Sequence, residues 1–239
     1  MDRNYSEQVI LVAGGTGGLW RAVSLAFLNQ GAKVVVPWHN AEEFAALQSV
    51  AGDHVSSLQG QQVDVTDEAA VGKLVAGIVA EHGRLDALVN TVGGYAGGVK
   101  LWELESSVFE RMLSLNLRAG FVLSRAAVVP MLKQKRGAIV NVSAKAAFDH
   151  ASGAAAYAVS KAAALAMIDC LSADTKGTGV RVNSILPSII DTASNRRDMP
   201  NADFATWPKP EDIARVILFL CSDNAKVIHG AAIPVYGDS

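Results

Sequence analysis

Tyr157 and Lys161 stand four residues apart in the segment Tyr157-Ala-Val-Ser-Lys161. On a helix that spacing puts a phenol and an ammonium on one face, where the two side chains can meet. A phenol titrates near pH ~10 and is a poor acid-base group at neutrality; a neighbouring cation favours the phenolate and draws its pKa toward the working range. A second group, Gly14-Gly15-Thr16-Gly17-Gly18, forms a glycine-rich turn. Between a strand and a helix, such a turn offers bare backbone N–H groups and the positive helix end to a pyrophosphate. Neither signal suffices alone, because a Tyr-x-x-x-Lys spacing is common by chance and tight turns need glycine for steric reasons. Together they describe a dinucleotide held beside an acid-base phenol. The positive charge of an oxidised nicotinamide would add to that of Lys161, whose amine would also hydrogen-bond the nicotinamide ribose.

The elements that must position these groups alternate along the chain. Residues Val9 to Ala13 form an unbroken apolar run that stops at Gly14, as a strand buried on both faces of a parallel sheet reads. A helix follows over about 18–29, with Leu19, Val23, Ala26 and Phe27 on one side and Gly31 where a C-cap belongs. The pattern then predicts a strand over 33–36, a helix over 41–50 and a strand ending at Val63-Asp64-Val65. A helix over 67–82 carries Asp67 and Glu68 at its positive end, and a fourth strand covers 85–90. Ser107 and Glu110 read as a capping box opening a long helix to about 132. Next come a strand over 138–142, a helix over 154–175 and a strand over 180–186. Pro210 begins a helix to about 221, at a position where its missing N–H is harmless, and 231–235 closes the sheet. This alternation implies a Rossmann-type doubly wound α/β fold, with a parallel sheet of about seven strands and helices on both faces. At 239 residues a single catalytic domain over 1–239 is expected.

Composition narrows the function classes. With 21 Lys+Arg against 23 Asp+Glu and a net charge of -2, there is no electrostatic footprint for nucleic acid or an anionic membrane, so a small-molecule substrate is the expected partner. Cys170 and Cys221 have no paired spacing, and His39, His54, His82, His150 and His229 show no ligand pattern, so no disulfide framework and no metal are expected. The polar start MDRNYSEQ carries no targeting pattern, and Arg125, Pro130 and Lys161 interrupt the apolar stretches before a membrane span is reached. A cytoplasmic enzyme with no membrane partner is the resulting expectation.

These motifs resemble the classical short-chain dehydrogenase/reductase family over nearly the whole chain. Ala13 to Trp20 resemble its T-G-x-x-x-G-x-G signature, with Ala13 in place of Thr, which implies that Gly14, Thr16, Gly17, Gly18 and Leu19 hold the cofactor phosphates. Asp64-Val65 resembles the pair at the adenine ring, and Asn90-Thr-Val-Gly93 resembles the N-N-A-G segment after strand four. Asn116 resembles the family's relay asparagine, joining Tyr157 and Lys161 as catalytic residues. Pro187, Ile189 and Thr192 fit its P-G-x-x-x-T cofactor loop, with Ser188 in place of the glycine.

The chain departs from that pattern in three places. Trp20 replaces the last motif glycine; its ring must point outward, widen the local spacing, obstruct the phosphates, or pack on the buried side of the helix. The second strand ends Pro37-Trp38-His39-Asn40 with no carboxylate for an adenosine ribose; Trp38 could stack on adenine and His39 lie near a 2′-phosphate, so NAD and NADP both stay open. Ala144 stands where the family has a serine that hydrogen-bonds the substrate carbonyl, and neighbouring Ser143 would replace it only on an irregular backbone.

Narrower segments resemble dihydropteridine reductases: Val92 to Gly98, Ala144 to Asp149, Leu186-Pro187 with Asp191-Thr192, and Asn195 to Trp207. That resemblance implies a Tyr and Lys working without the Ser on a quinonoid pterin or similar conjugated ring. Tyr95, Met199 and Trp207 would offer it flat apolar contacts, with 188–209 as a substrate lid; ordinary packing is the alternative. A generic ketoreductase or alcohol dehydrogenase of the 3-oxoacyl carrier protein reductase kind is the alternative activity, and a non-catalytic binding protein on the same fold is a third reading. The family resemblance also implies a homodimer or homotetramer.

Overall fold

The computed structural model describes residues 5–14 and 18–239. Its strands are β1 (Val9–Gly14), β2 (Lys33–Trp38), β3 (Leu58–Gln62), β4 (Ala87–Thr91), β5 (Gly137–Val142), β6 (Val180–Pro187) and β7 (Ala232–Val235). All pair in parallel in one seven-stranded sheet of order β3-β2-β1-β4-β5-β6-β7. The helices are α1 (Gly18–Asn29), α2 (Ala41–Ala51), α3 (Glu68–His82), α4 (Ser106–Leu113), α5 (Ala119–Gln134), α6 (Ala155–Asp174), α7 (Ala193–Asp198) and α8 (Pro210–Cys221).

Strand order reverses between β1 and β4, and the carboxyl ends of those strands carry Gly14 and Thr91, so the fold opens a crevice where an open α/β sheet binds ligands. The central strands are apolar on both faces because both are covered. One apolar layer joins Ile10, Val12, Val23, Phe27, Ile213 and Ile217 under α1 and α8, and the other joins Leu11, Leu74, Leu88, Leu123 and Ile139 under α3 and α5.

Three expectations need correction. The third strand is Leu58–Gln62, ahead of Val63 to Val65: it lies at the sheet edge, where a polar LQGQQ run is tolerated because its outer side faces water. The long helix expected from Ser107 begins at Ser106 after Glu105, so Ser107 lies within the helix and caps nothing; its hydroxyl turns back to the Glu105 carboxylate. That helix is also divided, by a π-helical turn at Ser114–Arg118 between α4 and α5. Finally, the span Ser106–Gln134 and helix α6 are long and apolar enough to cross a membrane, each with a mean hydropathy of 1.3, despite Arg125, Pro130 and Lys161; 50% and 44% of their most apolar windows are buried inside the fold.

Candidate active site

Tyr157 and Lys161 lie in the first two turns of α6, as their spacing requires. Lys161 is 6% exposed, and its Nζ donates to the Val142 carbonyl at 3.1 Å, tying α6 to the end of β5. Removal from water lowers its pKa to about 8. Tyr157 is displaced upward, to about 12, by burial and by the neighbouring Tyr95 phenol. The protein's own groups therefore do not draw the phenol down, contrary to the expectation from spacing. Burial opposes the phenolate, and the lysine's hydrogen bond goes to Val142.

Asn116 sits on the π-helical turn and is buried. Its Oδ1 accepts from the Gly94 N–H at 3.0 Å, while its Nδ2 donates to the Gly94 carbonyl at 3.0 Å and to Ser160 Oγ at 2.9 Å. One amide thus fixes the chain after β4 against α6. Gly93 completes the fit, since a Cβ there would come within 2.7 Å of Asn116 Oδ1 and 3.0 Å of Lys161 Nζ. Asn90 turns the other way, donating to Asn141 Oδ1 at 2.8 Å across the β4–β5 pair and accepting from the Val92 N–H.

Ser143 is 3% exposed, and its hydroxyl donates to the Lys161 carbonyl at 3.2 Å. Ser143 follows the end of β5, with Ala144 beyond it in extended backbone (φ -162°, ψ 158°), and the Ser143 hydroxyl is taken up by the backbone of α6. Tyr95 is 68% exposed and meets Tyr157 edge to face, ring centroids 5.0 Å apart. Trp207, expected to offer a flat face to substrate, is instead packed away: it is 6% exposed and tilted against Phe204. Met199 follows α7 and is half-buried.

The lid segment is a closed loop. The Asp191 N–H donates to the Pro208 carbonyl, and Arg196 pairs with the Asp191 carboxylate through two contacts, 2.5 and 2.7 Å, holding that carboxyl below its ordinary range. Thr192 caps α7 through the Asn195 N–H and lies over Gly18, where a Cβ would meet its methyl at 3.4 Å. Pro187 ends β6, Ser188 bonds the Tyr236 carbonyl, and Ile189 is exposed.

At the nucleotide end, Thr16 and Gly17 lie outside the described residues. Trp20 points inward. It is 4% exposed within the apolar layer under α1, Leu19 is buried beside it, and its ring packs on the Gly14 α-carbon so closely that a Cβ there would collide with it. Its indole N–H is buried and has no partner among the described residues. Trp38 stacks on Phe44 rather than standing open for adenine, with centroids 6.0 Å apart and planes 12° from parallel. His39 is exposed and Asp64 accepts from both the N–H and the hydroxyl of Thr66, which keeps its carboxyl low; Val65 is half-buried. Glycine at 18 and 93 keeps side chains off positions where a Cβ would crowd Thr192 or Asn116 and Lys161, and these residues fit a dinucleotide.

The family resemblance named Asn116 but not its partners. Ser160 and Gly94 carry no chemistry of their own; the three-residue step from Tyr157 to Ser160 was the available signal, since it puts both on one helix face.

Comparison with known proteins agrees with this geometry. Residues 8–203 match the model of the short chain dehydrogenase family. The chain is 32% identical over 245 residues to a D-threitol dehydrogenase of Mycolicibacterium smegmatis, covering 99% of this chain and 94% of that one. It is 28% identical over 238 residues to a 3-oxoacyl-(acyl-carrier-protein) reductase of Thermotoga maritima, covering 96% of each. Among solved structures, a short-chain dehydrogenase/reductase of Burkholderia xenovorans superposes with a TM-score of 0.89 at 29% identity, over 99% of this chain and 97% of that one. The chain belongs to the short-chain dehydrogenase family and is an NAD(P)-dependent oxidoreductase.

Proposed function

We propose that Tyr157 exchanges the proton in this oxidoreductase and that the substrate is a flat, conjugated ring of the quinonoid dihydropteridine kind. What supports the substrate reading is the lack of a hydroxyl at Ala144, together with the exposed aromatic ring of Tyr95 standing edge-on to Tyr157. A conjugated ring takes up hydride and proton without a second hydroxyl on one carbonyl oxygen. When bound, the nicotinamide supplies or accepts the hydride. Lys161 holds its ribose, Asn116 fixes the strand-four loop, and Gly14, Gly18, Gly93 and Thr192 frame the dinucleotide.

A second reading, a ketoreductase or alcohol dehydrogenase, is favoured by the names of the two relatives. The test is oxidation of NADH and NADPH with quinonoid dihydropterin and acetoacetyl thioester, and reduction of NAD+ and NADP+ with D-threitol and cyclopentanol. Turnover of the pterin supports the first reading; turnover of only the thioester or alcohols selects the second. The same assay decides between NAD and NADP. The proposal extends to one catalytic domain with residues 188–209 as its lid, a cytoplasmic setting and a homodimer or homotetramer.

A further inference from the structure

We propose that the Tyr95 hydroxyl is a second catalytic group, donating a hydrogen bond to the substrate atom that Tyr157 protonates and so standing in for the serine absent at Ala144. This rests on the proposed role of Tyr157 and deepens it. Four observations converge. Ala144 has no hydroxyl and is buried, and the hydroxyl of Ser143 is already committed to the Lys161 carbonyl. The Tyr95 ring lies edge-on to Tyr157 with centroids 5.0 Å apart. Among the described residues neither phenol makes a hydrogen bond to protein: Tyr157 and Tyr95 have no partner while Asn116, Ser143, Ser160 and Lys161 around them all do. Finally, the Tyr95 hydroxyl end folds onto the α-carbon of Gly97, where any Cβ would displace it.

Asn116 holds the base of this loop through both polar atoms of Gly94, one residue before Tyr95. Gly153 supports it further on, its α-carbon lying against the backbone of Gly98 and Val99. The phenol is thus carried on a gripped loop, as a pre-aimed donor must be. In the reaction the hydride joins the acceptor atom, the Tyr157 proton joins the atom that gains the electron pair, and Tyr95 keeps its own proton throughout.

The experiment compares wild type, Tyr95→Phe, Ala144→Ser and the double variant on quinonoid dihydropterin, acetoacetyl thioester and cyclopentanol, with Tyr157→Phe as control. Tyr95→Phe is expected to lower kcat ~100-fold, the scale of one lost transition-state donor, while the cofactor dissociation constant read by tryptophan fluorescence stays within ~2-fold. Adding Ala144→Ser is expected to restore at least ~10-fold of that loss, which a purely structural role of Tyr95 would not permit. Gly97→Ala, which keeps the phenol but moves it, is expected to lower kcat ~10-fold. Unchanged kcat in Tyr95→Phe, with turnover still abolished by Tyr157→Phe, overturns this inference alone; a loss that Ala144→Ser does not restore also overturns it. Wild-type inactivity on every probe overturns the parent reading together with this one.

Discussion

The two edges of the sheet treat polar groups in opposite ways. At the amino edge every prominent one is paired. Asp86, buried at the start of β4, accepts from the Val9 N–H at 2.9 Å and from Arg84 Nε at 2.8 Å. Gln134 bonds both the N–H and the carbonyl of Leu85, and Arg181 reaches the Leu220, Ser222 and Ala225 carbonyls past the end of α8. His229 bridges the Val182 N–H and the Ser172 carbonyl. At the carboxyl edge, Lys161 is a buried amine with one carbonyl partner, and among the described residues Tyr95 and Tyr157 have none and the Trp20 and Trp38 indole N–H groups are orphaned. Buried polar atoms are normally satisfied, so one edge reads as stability and the other as binding capacity held in reserve.

Substitutions can break or sharpen that contrast. The largest effect is expected from Tyr157→Phe: turnover falls ~1,000-fold in steady-state kinetics, with the melting temperature nearly unchanged because the lost hydroxyl had no protein partner. Next is Asp86→Ala at the opposite edge, which strands the Val9 N–H and Arg84. Urea unfolding should show a loss of about 3 kcal/mol, with specific activity of the folded enzyme retained.

Lys161→Met should do the reverse, removing activity while raising stability by about 1–2 kcal/mol at pH 7. The folded lysine titrates at about 8 against 10.5 for a free one, so the unfolded chain binds more protons between those values. Burying the charged amine therefore destabilises the wild type fully below pH 8, and that penalty is relieved as pH rises toward 10.5. The advantage of Lys161→Met must shrink over that window in unfolding measured at pH 7 and pH 9.5; a gap that widens would refute the assignment. The smallest effect is expected from Ser143→Ala, which loses one hydrogen bond worth about 1 kcal/mol and leaves kcat unchanged.

Much of the architecture was legible because it is written in local periodicity. The apolar run from Val9 and the helix from Pro210 to Cys221 both fell where pattern and punctuation put them, since buried parallel strands and amphipathic helices bury the same faces wherever they occur. The edge strand Leu58–Gln62 was expected a few residues too late, ending at Val65, because half its surroundings are water, which removes the apolar signal. The Ser107 cap failed because a helix chooses among adjacent starts by tertiary packing. In the site, the positions of Tyr157 and Lys161 followed from helix geometry. The meeting of Tyr95 with Tyr157, and of Trp38 with Phe44, joins residues distant in sequence through loop conformations that no local pattern encodes.

The π-helical turn at Ser114–Arg118 has a consequence for how this protein can change. It accommodates one more residue than an α-helical turn of the same rise, and its widened ring is what lets the Asn116 amide lean toward Gly94. Excising a single residue there would turn the stretch into uninterrupted α-helix and leave α5 facing as before, so the change would fall on Asn116 and its hold on Gly94. This helix can therefore shorten by one residue without changing direction, at the cost of the amide that fixes the loop after β4 against α6.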